Sequence, residues 1–135
     1  MKRLSVAKAM IVLIDGGCHD GTLVEKTCTP CRGGIPPLAR PEAEELLPQA
    51  PEWALIDDAR RIEKTFRFGN FQEALAFVRK VGELAEAEGH HPDISFGWGY
   101  GTVSLRTKKI KGLHENDFIM ATKIDRLAST ADKAA

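Results

Sequence analysis

Residues 70–93 have the sequence NFQEALAFVRKVGELAEAEGHHPD, and this stretch decides the fold. Asn70 is a good helix N-cap, and Glu73 follows it by three residues, as in a capping box. The apolar residues that recur at helical spacing predict one stripe: Phe71, Ala74, Leu75, Val78, Val81 and Ala85. Gly89 is suited to end the helix in a left-handed conformation. We therefore expect an amphipathic helix over residues 70–88, followed by two adjacent histidines.

A pair of strands is predicted on each side of this central helix. The predicted elements in chain order are a helix over 41–47, strands over 53–56 and 61–68, the central helix, strands over 93–98 and 102–107, and a helix over about 115–127. Short connections favour hairpins between sequential strands. The sequence thus predicts an α+β fold, in which a four-stranded antiparallel sheet carries helices on one face.

The composition is that of one soluble domain. The chain has 135 residues, with 43% hydrophobic and 28% charged. Lys+Arg and Asp+Glu both number 19, so the net charge of zero argues against a general nucleic-acid binder. No apolar stretch approaches the roughly 18 residues that a membrane span requires. We expect an N-terminal arm over 1–40, a folded domain over 41–128 and a frayed tail over 129–135.

The arm contains all three cysteines, Cys18, Cys28 and Cys31. An odd number does not make a self-contained disulfide framework and suits a reducing cytoplasm. Cys28-x-x-Cys31 with Cys18-His19 would supply four zinc ligands, but a zinc site usually shows two paired motifs. We therefore expect ordinary thiols and no metal. The short apolar run over 10–14 is expected to be a strand or an extended arm rather than a secretory signal.

The folded domain is small enough that association would help it. A core of about 90 residues buries enough surface to fold, but only marginally. The sheet face opposite the helices is not covered by any predicted element, and a second copy of the chain could cover it. We expect a homodimer or a tetramer.

The adjacent histidines His90 and His91 are the strongest candidates for chemistry. They lie between a long helix and a strand, where loops commonly carry functional groups. Near pH 7 one imidazole accepts a proton and an imidazolium donates one, so the pair could serve as base and acid. The alternative is structural: one histidine caps the helix and the other is solvated.

The segment around these histidines resembles the pterin-4a-carbinolamine dehydratase family. The family pattern has an acidic residue, three residues, His-His-Pro and then an aromatic residue. It is matched by Glu86, His90, His91, Pro92 and Trp98. The sequence Gly-Leu-His-Glu-Asn-Asp-Phe over 112–118 resembles the start of the family's last helix. The resemblance covers roughly residues 28–128.

The resemblance implies the family's reaction, the dehydration of 4a-hydroxytetrahydropterin to a quinonoid dihydropterin, without metal or organic cofactor. By position, it implies catalytic roles for His90, His91 and Glu86. It implies contact with a pterin ligand for three further residues: Trp98, Pro92 and Asp93.

The chain departs from the family pattern at Lys108, which stands where the family has a third histidine. A lysine ammonium has an ordinary pKa of about 10.4, compared with about 6.5 for histidine, so it cannot act as a base at neutral pH. A proton-transfer residue typically contributes 10²–10⁴-fold to the rate. Lys108 therefore predicts a large loss of rate, or a site used for something else.

A second function follows from that departure. Some family members act as binding or assembly proteins, and one branch with a degenerate site assists RuBisCO assembly in bacteria with α-carboxysomes. Arg106, Lys109 and Lys111 flank Lys108 and could bind an acidic protein surface, although a solvated strand end is the plainer interpretation. We expect a cytoplasmic binding or assembly factor, such as one for RuBisCO, associated in that case with carboxysomes. The alternative is an active dehydratase in pterin recycling.

Overall fold

A computed structural model describes residues 23–28 and 34–134 of the chain. It has helices α1 (Arg40–Leu46), α2 (Phe71–Glu88) and α3 (Glu115–Ala134), and strands β1 (Ala54–Ile56), β2 (Arg61–Arg67), β3 (Asp93–Gly97) and β4 (Tyr100–Leu105). Short 3₁₀ turns occur at Leu23–Glu25, Leu47–Gln49 and Lys108–Ile110. The predicted α+β class and the order of elements are confirmed. The apolar run over 10–14, Cys18 and Cys31 lie outside the described residues.

The four strands form one antiparallel sheet in the order β1-β2-β4-β3. Ile62 lies opposite Leu105, and Ile94 lies opposite Val103. Because side chains alternate along a strand, these apolar residues share one face of the sheet. The opposite face is polar, and on it the hydroxyls of Thr65 and Thr102 are hydrogen-bonded at 2.8 Å.

Helices α2 and α3 both pack on the apolar face. The Phe77 ring of α2 lies 4.8 Å from the Phe66 ring of β2, measured between centroids. On α3, Asp125 accepts hydrogen bonds from Trp53 Nε1 at 3.0 Å and from Lys64 Nζ at 2.9 Å. Lys64 lies between Ile62 and Phe66 on the apolar face of β2, and the ion pair with Asp125 compensates its charge there. The predicted placement of helices on one face is confirmed.

The predicted apolar stripe of α2 is wrong in part. The buried residues of the helix are Ala74, Phe77, Val81 and Ala85. Phe71 and Leu75 were assigned to the stripe but are 45% and 46% exposed. An α-helix with apolar residues on two adjacent sides has two possible stripes. The aromatic side chains of the sheet select the one that includes Phe77.

Both ends of α2 follow the predicted cap chemistry. Asn70 Oδ1 accepts a hydrogen bond from the Glu73 backbone N–H at 2.8 Å. The Glu73 side chain reaches back to the Gly69 N–H at 2.7 Å rather than to Asn70 itself. Gly89 adopts φ 68° and ψ 28°, the left-handed conformation expected of a helix-ending glycine. This turn directs His90 and His91 away from the helix axis toward the start of β3.

Both termini hold more structure than the sequence suggested. Helix α3 continues to Ala134 instead of ending near Leu127, through part of the expected frayed tail, because residues 128–134 contain no Gly or Pro to stop it. Within the predicted arm, Leu23 is buried, and Lys26 Nζ lies 2.7 Å from Glu115 Oε2 on α3. The N-terminal segment over 23–28 therefore packs on the helices.

No helix in the described part of the chain has the length and apolarity needed to cross a membrane. The expected homodimer or tetramer stays a prediction, since only one chain is present.

Candidate active site

The predicted site lies where the end of α2, the start of β3 and the segment after β4 meet. Antiparallel pairing places Asp93 opposite Ser104, so the first residue of β3 lies beside the end of β4. A cleft of about 440 Å³ opens at this corner of the sheet. It is lined by Gly89, His90, His91, Arg106, Thr107, Lys108 and Lys109. The fold therefore brings the two histidines and Lys108 into one cleft.

His90 is buried and held by a carboxylate. Its Nε2 lies 2.7 Å from Asp117 Oδ1, and Asp117 is completely buried. The other carboxylate oxygen, Oδ2, accepts hydrogen bonds from Thr107 Oγ1 at 2.8 Å and from the His114 backbone N–H at 3.0 Å. An ionised carboxylate only accepts hydrogen bonds, so the Nε2 of His90 carries a hydrogen. Nδ1 is then the nitrogen that can exchange a proton.

His91 is exposed and has a different carboxylate partner. Its Nε2 lies 2.5 Å from Glu86 Oε2, and the two side chains are 58% and 79% exposed. Glu86 lies in the last turn of α2, and the left-handed Gly89 folds the chain back to bring the two side chains together. Because both side chains are mostly solvated, water competes with this contact.

Lys108 lies across the cleft at the start of a 3₁₀ turn. The turn is closed by the Thr107 N–H, which donates to the Gly112 carbonyl at 2.8 Å. Lys108 Nζ lies 3.7 Å from Asp93 Oδ1, and Asp93 Oδ2 lies 3.4 Å from Arg61 Nη1. Asp93 is therefore an ion-pair partner of Lys108, but it lines a neighbouring groove with Arg61 and Ser104 rather than this cleft.

Trp98 does not line this cleft. It lies in the turn between β3 and β4, five residues beyond Asp93, and is 71% exposed. At about 3.3 Å per residue, five residues of strand separate it from the histidine end by about 16 Å. Pro92 and Lys111 are also outside the set of cleft-lining residues. Asp93 and Trp98 lie at opposite ends of β3, so residues that are close in sequence are far apart along the strand.

Comparison with known proteins identifies the family of this chain. The family model described as "Pterin 4 alpha carbinolamine dehydratase" matches residues 36–127. The chain belongs to that family. A relative from Cupriavidus pinatubonensis, named "Putative pterin-4-alpha-carbinolamine dehydratase 1", is 65% identical over 79% of this chain and 92% of its own length. A relative from Methylococcus capsulatus, named a putative pterin-4-alpha-carbinolamine dehydratase, is 64% identical over 82% of this chain and 96% of its own length.

Two solved structures show the same fold. A "transcriptional coactivator/pterin dehydratase" from Brucella melitensis is 29% identical with a TM-score of 0.65, covering 68% of this chain and 98% of its own. A "pterin dehydratase-like protein", described as a RuBisCO assembly factor in the alpha-carboxysome, is 28% identical with a TM-score of 0.51. That match covers 57% of this chain and 89% of the other. Proteins with this fold are thus described both as a pterin dehydratase and as a RuBisCO assembly factor.

Sequence reasoning missed the role of Asp117 in this family member. Asp117 was noted only as part of the segment over 112–118, yet it joins His90 to Thr107 and to the start of α3. His114 also has an unforeseen role, because its Nδ1 accepts a hydrogen bond from the Asn116 N–H at 3.0 Å and caps α3. The available signal was an acidic residue three positions after a capping residue, which places its carboxylate back at the cap.

Lys123 on α3 is mostly buried in an ion pair and does not extend the basic stretch around Lys108. Its Nζ lies 2.7 Å from Glu88 Oε2, and the two side chains are only 17% and 11% exposed. Glu88 Oε1 also accepts a hydrogen bond from the Cys28 N–H at 2.8 Å. Burial alone would raise the pKa of Glu88, but the hydrogen bond from Cys28 and the nearby Lys123 together lower it below its ordinary value.

The described cysteine, Cys28, is poorly suited to ligand or redox chemistry. Burial raises the pKa of its thiol to about 12, and the negative charge of Glu88 contributes. The thiolate that binds metals and attacks disulfides is therefore scarce at neutral pH. Across residues 23–28 and 34–134, no cluster of three or more His, Cys, Asp or Glu side chains is arranged to hold a metal ion. The remaining proposed zinc ligands, Cys18, His19 and Cys31, lie outside the described residues.

Proposed function

We propose that this protein is a 4a-hydroxytetrahydropterin dehydratase in which Lys108 takes the position of a third histidine. The observation that carries the proposal is the cleft shared by His90, His91 and Lys108. The relatives that are 65% and 64% identical over nearly their whole length support it.

The reaction requires one proton to be delivered and one to be removed. The bond from C4a to its hydroxyl breaks with the electron pair leaving on oxygen, and that oxygen needs a proton to depart as water. The ring N–H proton at N5 is lost to a base, and its electrons form the new double bond of the quinonoid product. The enzyme needs an acid and a base that exchange protons near neutral pH.

The two carboxylate–histidine pairs suit these two roles. His90, with Asp117 behind its Nε2, accepts the N5 proton on Nδ1, because the buried carboxylate stabilises the imidazolium that forms. His91 beside Glu86 donates a proton to the departing hydroxyl. Lys108 carries a positive charge and donates a hydrogen bond to an oxygen of the ligand, but it does not accept a proton at pH 7.

The test is the dehydration rate of the purified protein with a synthetic 4a-carbinolamine, compared with matched variants. We expect wild-type turnover well above the spontaneous rate, and a loss of about 10²-fold or more in kcat for His91→Ala. Lys108→His should raise kcat. Lys80→His, on the exposed surface of α2, is the matched control and should leave kcat unchanged. A wild-type rate equal to the spontaneous rate would overturn the proposal.

A second candidate is a binding or assembly role. It is favoured by Lys108 itself, by the exposed Lys109 and Lys111 next to it, and by the 28% identical neighbour described as a RuBisCO assembly factor. On this reading the basic residues would bind an acidic surface of RuBisCO, and the protein would be associated with carboxysomes. A homodimer or a tetramer would present the basic surface in several copies.

The binding role is tested by co-sedimentation of the protein with purified RuBisCO at low and physiological salt. Binding that weakens in Lys111→Glu, while Lys80→Glu still binds, would support this role. Equal binding by both variants, or none by the wild type, would count against it. The same sedimentation runs report the oligomeric state of the protein alone.

A further inference from the structure

Strand β3 forms one edge of the sheet, and its outer side is open. Within residues 23–28 and 34–134 it pairs with β4 alone. Edge strands are usually protected by lysine, proline or a bulge, because their unpaired N–H and C=O groups can bind another chain. Residues 93–97 have the sequence DISFG, with neither lysine nor proline, and their pairing with β4 is continuous. This edge is therefore suited to accept a further strand.

The hairpin that joins β3 to β4 decides which backbone groups face outward. Its loop has two residues, and Gly97 lies opposite Tyr100. In such a hairpin the two residues that flank the loop bond to each other, and the direction of the backbone groups alternates along the strand. Counting back from Gly97, the N–H and C=O groups of Ile94 and Phe96 point away from β4.

This edge is complementary to a second copy of itself. A twofold axis at Ser95 would pair Ile94 of each copy with Phe96 of the other in an antiparallel ladder, which uses all the outward N–H and C=O groups of both residues. Both side chains are only partly buried in one chain, and the ladder would bring them together as an aliphatic–aromatic pair. The one charged residue of the strand, Asp93, would face Gly97 rather than a like charge.

The same register carries Trp98 to the site of the other copy. Trp98 is 71% exposed. It lies about 16 Å from the histidine end of its own strand. In the paired strands it stands opposite Pro92 of the other copy, which follows His91 in the sequence. Because paired strands are about 4.8 Å apart, the indole reaches the rim of the other copy's cleft.

The cleft lacks the kind of surface that this indole would supply. Among the described residues, those that line it include two imidazoles and several cationic groups but no Phe, Tyr or Trp. Sites for small organic ligands usually combine a few polar groups with an aromatic or apolar surface. The indole of a tryptophan has a large flat face, on which the bicyclic ring of a pterin can stack.

We propose that two copies of this chain pair through β3, and that Trp98 of each copy binds the pterin ring in the cleft of the other. The inference rests on the proposed dehydratase function and adds a substrate-binding residue that the second copy supplies. His90 and His91 of one copy exchange the protons of the reaction, while the indole of the other copy holds the plane of the ring. A single copy therefore has an incomplete site.

Sedimentation velocity of the full chain tests the pairing. We expect the wild type to form an even-numbered assembly, and Ser95→Lys to halve its mass, because two ammonium groups would lie opposite each other with Cβ atoms about 5 Å apart. Thr65→Lys is the matched control, since Thr65 is exposed on the same face of the sheet but belongs to the inner strand β2. It should keep the wild-type mass. Urea unfolding shows whether each variant is folded.

Three results of these runs would overturn the inference. One is a monomeric wild type, and another is a Ser95→Lys variant that keeps the wild-type mass. The third is equal dissociation by Thr65→Lys, because the copies would then meet through the face of the sheet and not through its edge.

Mixed assemblies test whether Trp98 acts in the cleft of the other copy. Trp98→Ala should lower kcat/KM for the 4a-carbinolamine about tenfold, because the pterin ring loses its stacking partner, and Trp98→Phe should recover part of the loss. Ser95→Lys should show the same tenfold fall as Trp98→Ala, because separated copies cannot exchange their indoles. His91→Ala removes the proton donor and leaves Trp98 in place.

The decisive sample contains Trp98→Ala and His91→Ala in equal amounts, unfolded together in urea and refolded. About half of the pairs are then mixed, and each mixed pair has one cleft with an intact His91 that receives an intact Trp98. The sample should reach about a quarter of the kcat/KM of refolded wild type. If Trp98 acted within its own chain, the sample would show only the mean of the two variants, about a twentieth of wild type.

The outcomes separate this inference from the proposed function. If the wild type is active but the mixed sample shows only the mean of its variants, the inference is overturned and the dehydratase proposal stands. The same holds if Trp98→Ala keeps the wild-type kcat/KM. A wild type without turnover would overturn both. Recovery in the mixed sample, together with the loss in Ser95→Lys, is the expected result.

Discussion

Two adjacent histidines have opposite environments in this protein. His90 belongs to a buried histidine network with Asp117, Thr107 and His114. The Asp117 carboxylate is the common acceptor, and its three donors come from different segments of the chain. His91 belongs to an exposed histidine pair, formed with Glu86, in which both side chains are mostly solvated. The same residue type therefore contributes differently at neighbouring positions: the network ties β4, α2 and α3 together, and the pair is free to meet a ligand.

The buried network is expected to contribute mainly to the stability of the fold, and the exposed pair mainly to the proposed reaction. Loss of a partner in the buried network leaves polar groups unsatisfied away from water, which is costly. Loss of a partner in the exposed pair returns polar groups to water at little cost. Variants in the buried network should therefore change the free energy of unfolding, and variants in the exposed pair should change mainly kcat.

Asp117→Ala should have the largest effect on stability. It removes the acceptor of three hydrogen bonds and leaves His90 Nε2 and Thr107 Oγ1 without their partner in the interior. We expect a loss of about 3 kcal/mol in the free energy of unfolding, measured by urea denaturation at pH 7. Glu86→Ala is the matched control in the exposed pair, and its effect should be within about 0.5 kcal/mol. Similar losses in the two variants would remove the distinction between network and pair.

Gly112→Ala should have the next largest effect, because Gly112 closes the loop that carries Thr107. An added Cβ would lie 2.5 Å from Pro37 Cβ, which is too close for two carbons that are not bonded to each other. We expect a loss of about 2 kcal/mol in the free energy of unfolding. Gly82→Ala is the control in the middle of α2, where an added Cβ meets nothing within 4 Å. It should gain about 0.5–1 kcal/mol from helix propensity. Equal changes in unfolding midpoint would contradict the steric argument.

The acid sensitivity of the fold should depend in part on Glu88. Its folded pKa lies below the ordinary value of 4.5, so its ion pair with Lys123 stabilises the fold above that pH. The contribution is lost as the pH falls below 4.5 through the lowered folded pKa. In urea titrations between pH 6 and pH 3, Glu88→Gln should therefore lose less stability than the wild type. Glu86→Gln, on the exposed side of the same helix turn, should keep the wild-type pH dependence. A Glu88→Gln curve parallel to wild type would refute this.

Glu86→Gln should have the smallest effect. The exposed contact with His91 is screened, so its removal should change the unfolding free energy by less than about 0.5 kcal/mol. Because the Glu86 carboxylate contacts His91 and orients its ring, kcat of the dehydratase reaction should still fall by about two- to fivefold. Glu83→Gln removes a carboxylate from another exposed pair on α2 and serves as control. If both variants retain full kcat, Glu86 has no part in the site.

Much of the fold could be predicted because its signals are local. The caps of α2 at Asn70 and Gly89 depend on residues a few positions apart, and both predictions are confirmed. The strand predicted over 102–107 is also a local signal, and Val103 and Leu105, two residues apart on it, are both buried. The family resemblance followed from a similarly local motif around His90 and His91, and the family itself is shown by the match over 36–127.

The candidate site was predictable only in part, because its contacts join distant segments. That His90 and His91 share a cleft with Lys108 follows from the antiparallel pairing of β3 with β4. The burial of Asp117 and the outward position of Phe71 depend on how α3 and α2 dock, which no periodicity fixes. Trp98 was assigned next to the histidines by motif, but the hairpin places it at the other end of β3.

The sequence by itself determined the helices, the strands, their order and the family, since hydrogen bonding and side-chain periodicity act over a few residues. Only the tertiary structure decided which of two neighbouring histidines is buried and which carboxylate each one contacts. It also decided that the buried Arg106 Nε has no hydrogen-bond partner among residues 23–28 and 34–134. Burial is a property of the packed chain, and it sets both the cost of an unsatisfied polar group and the strength of a charge.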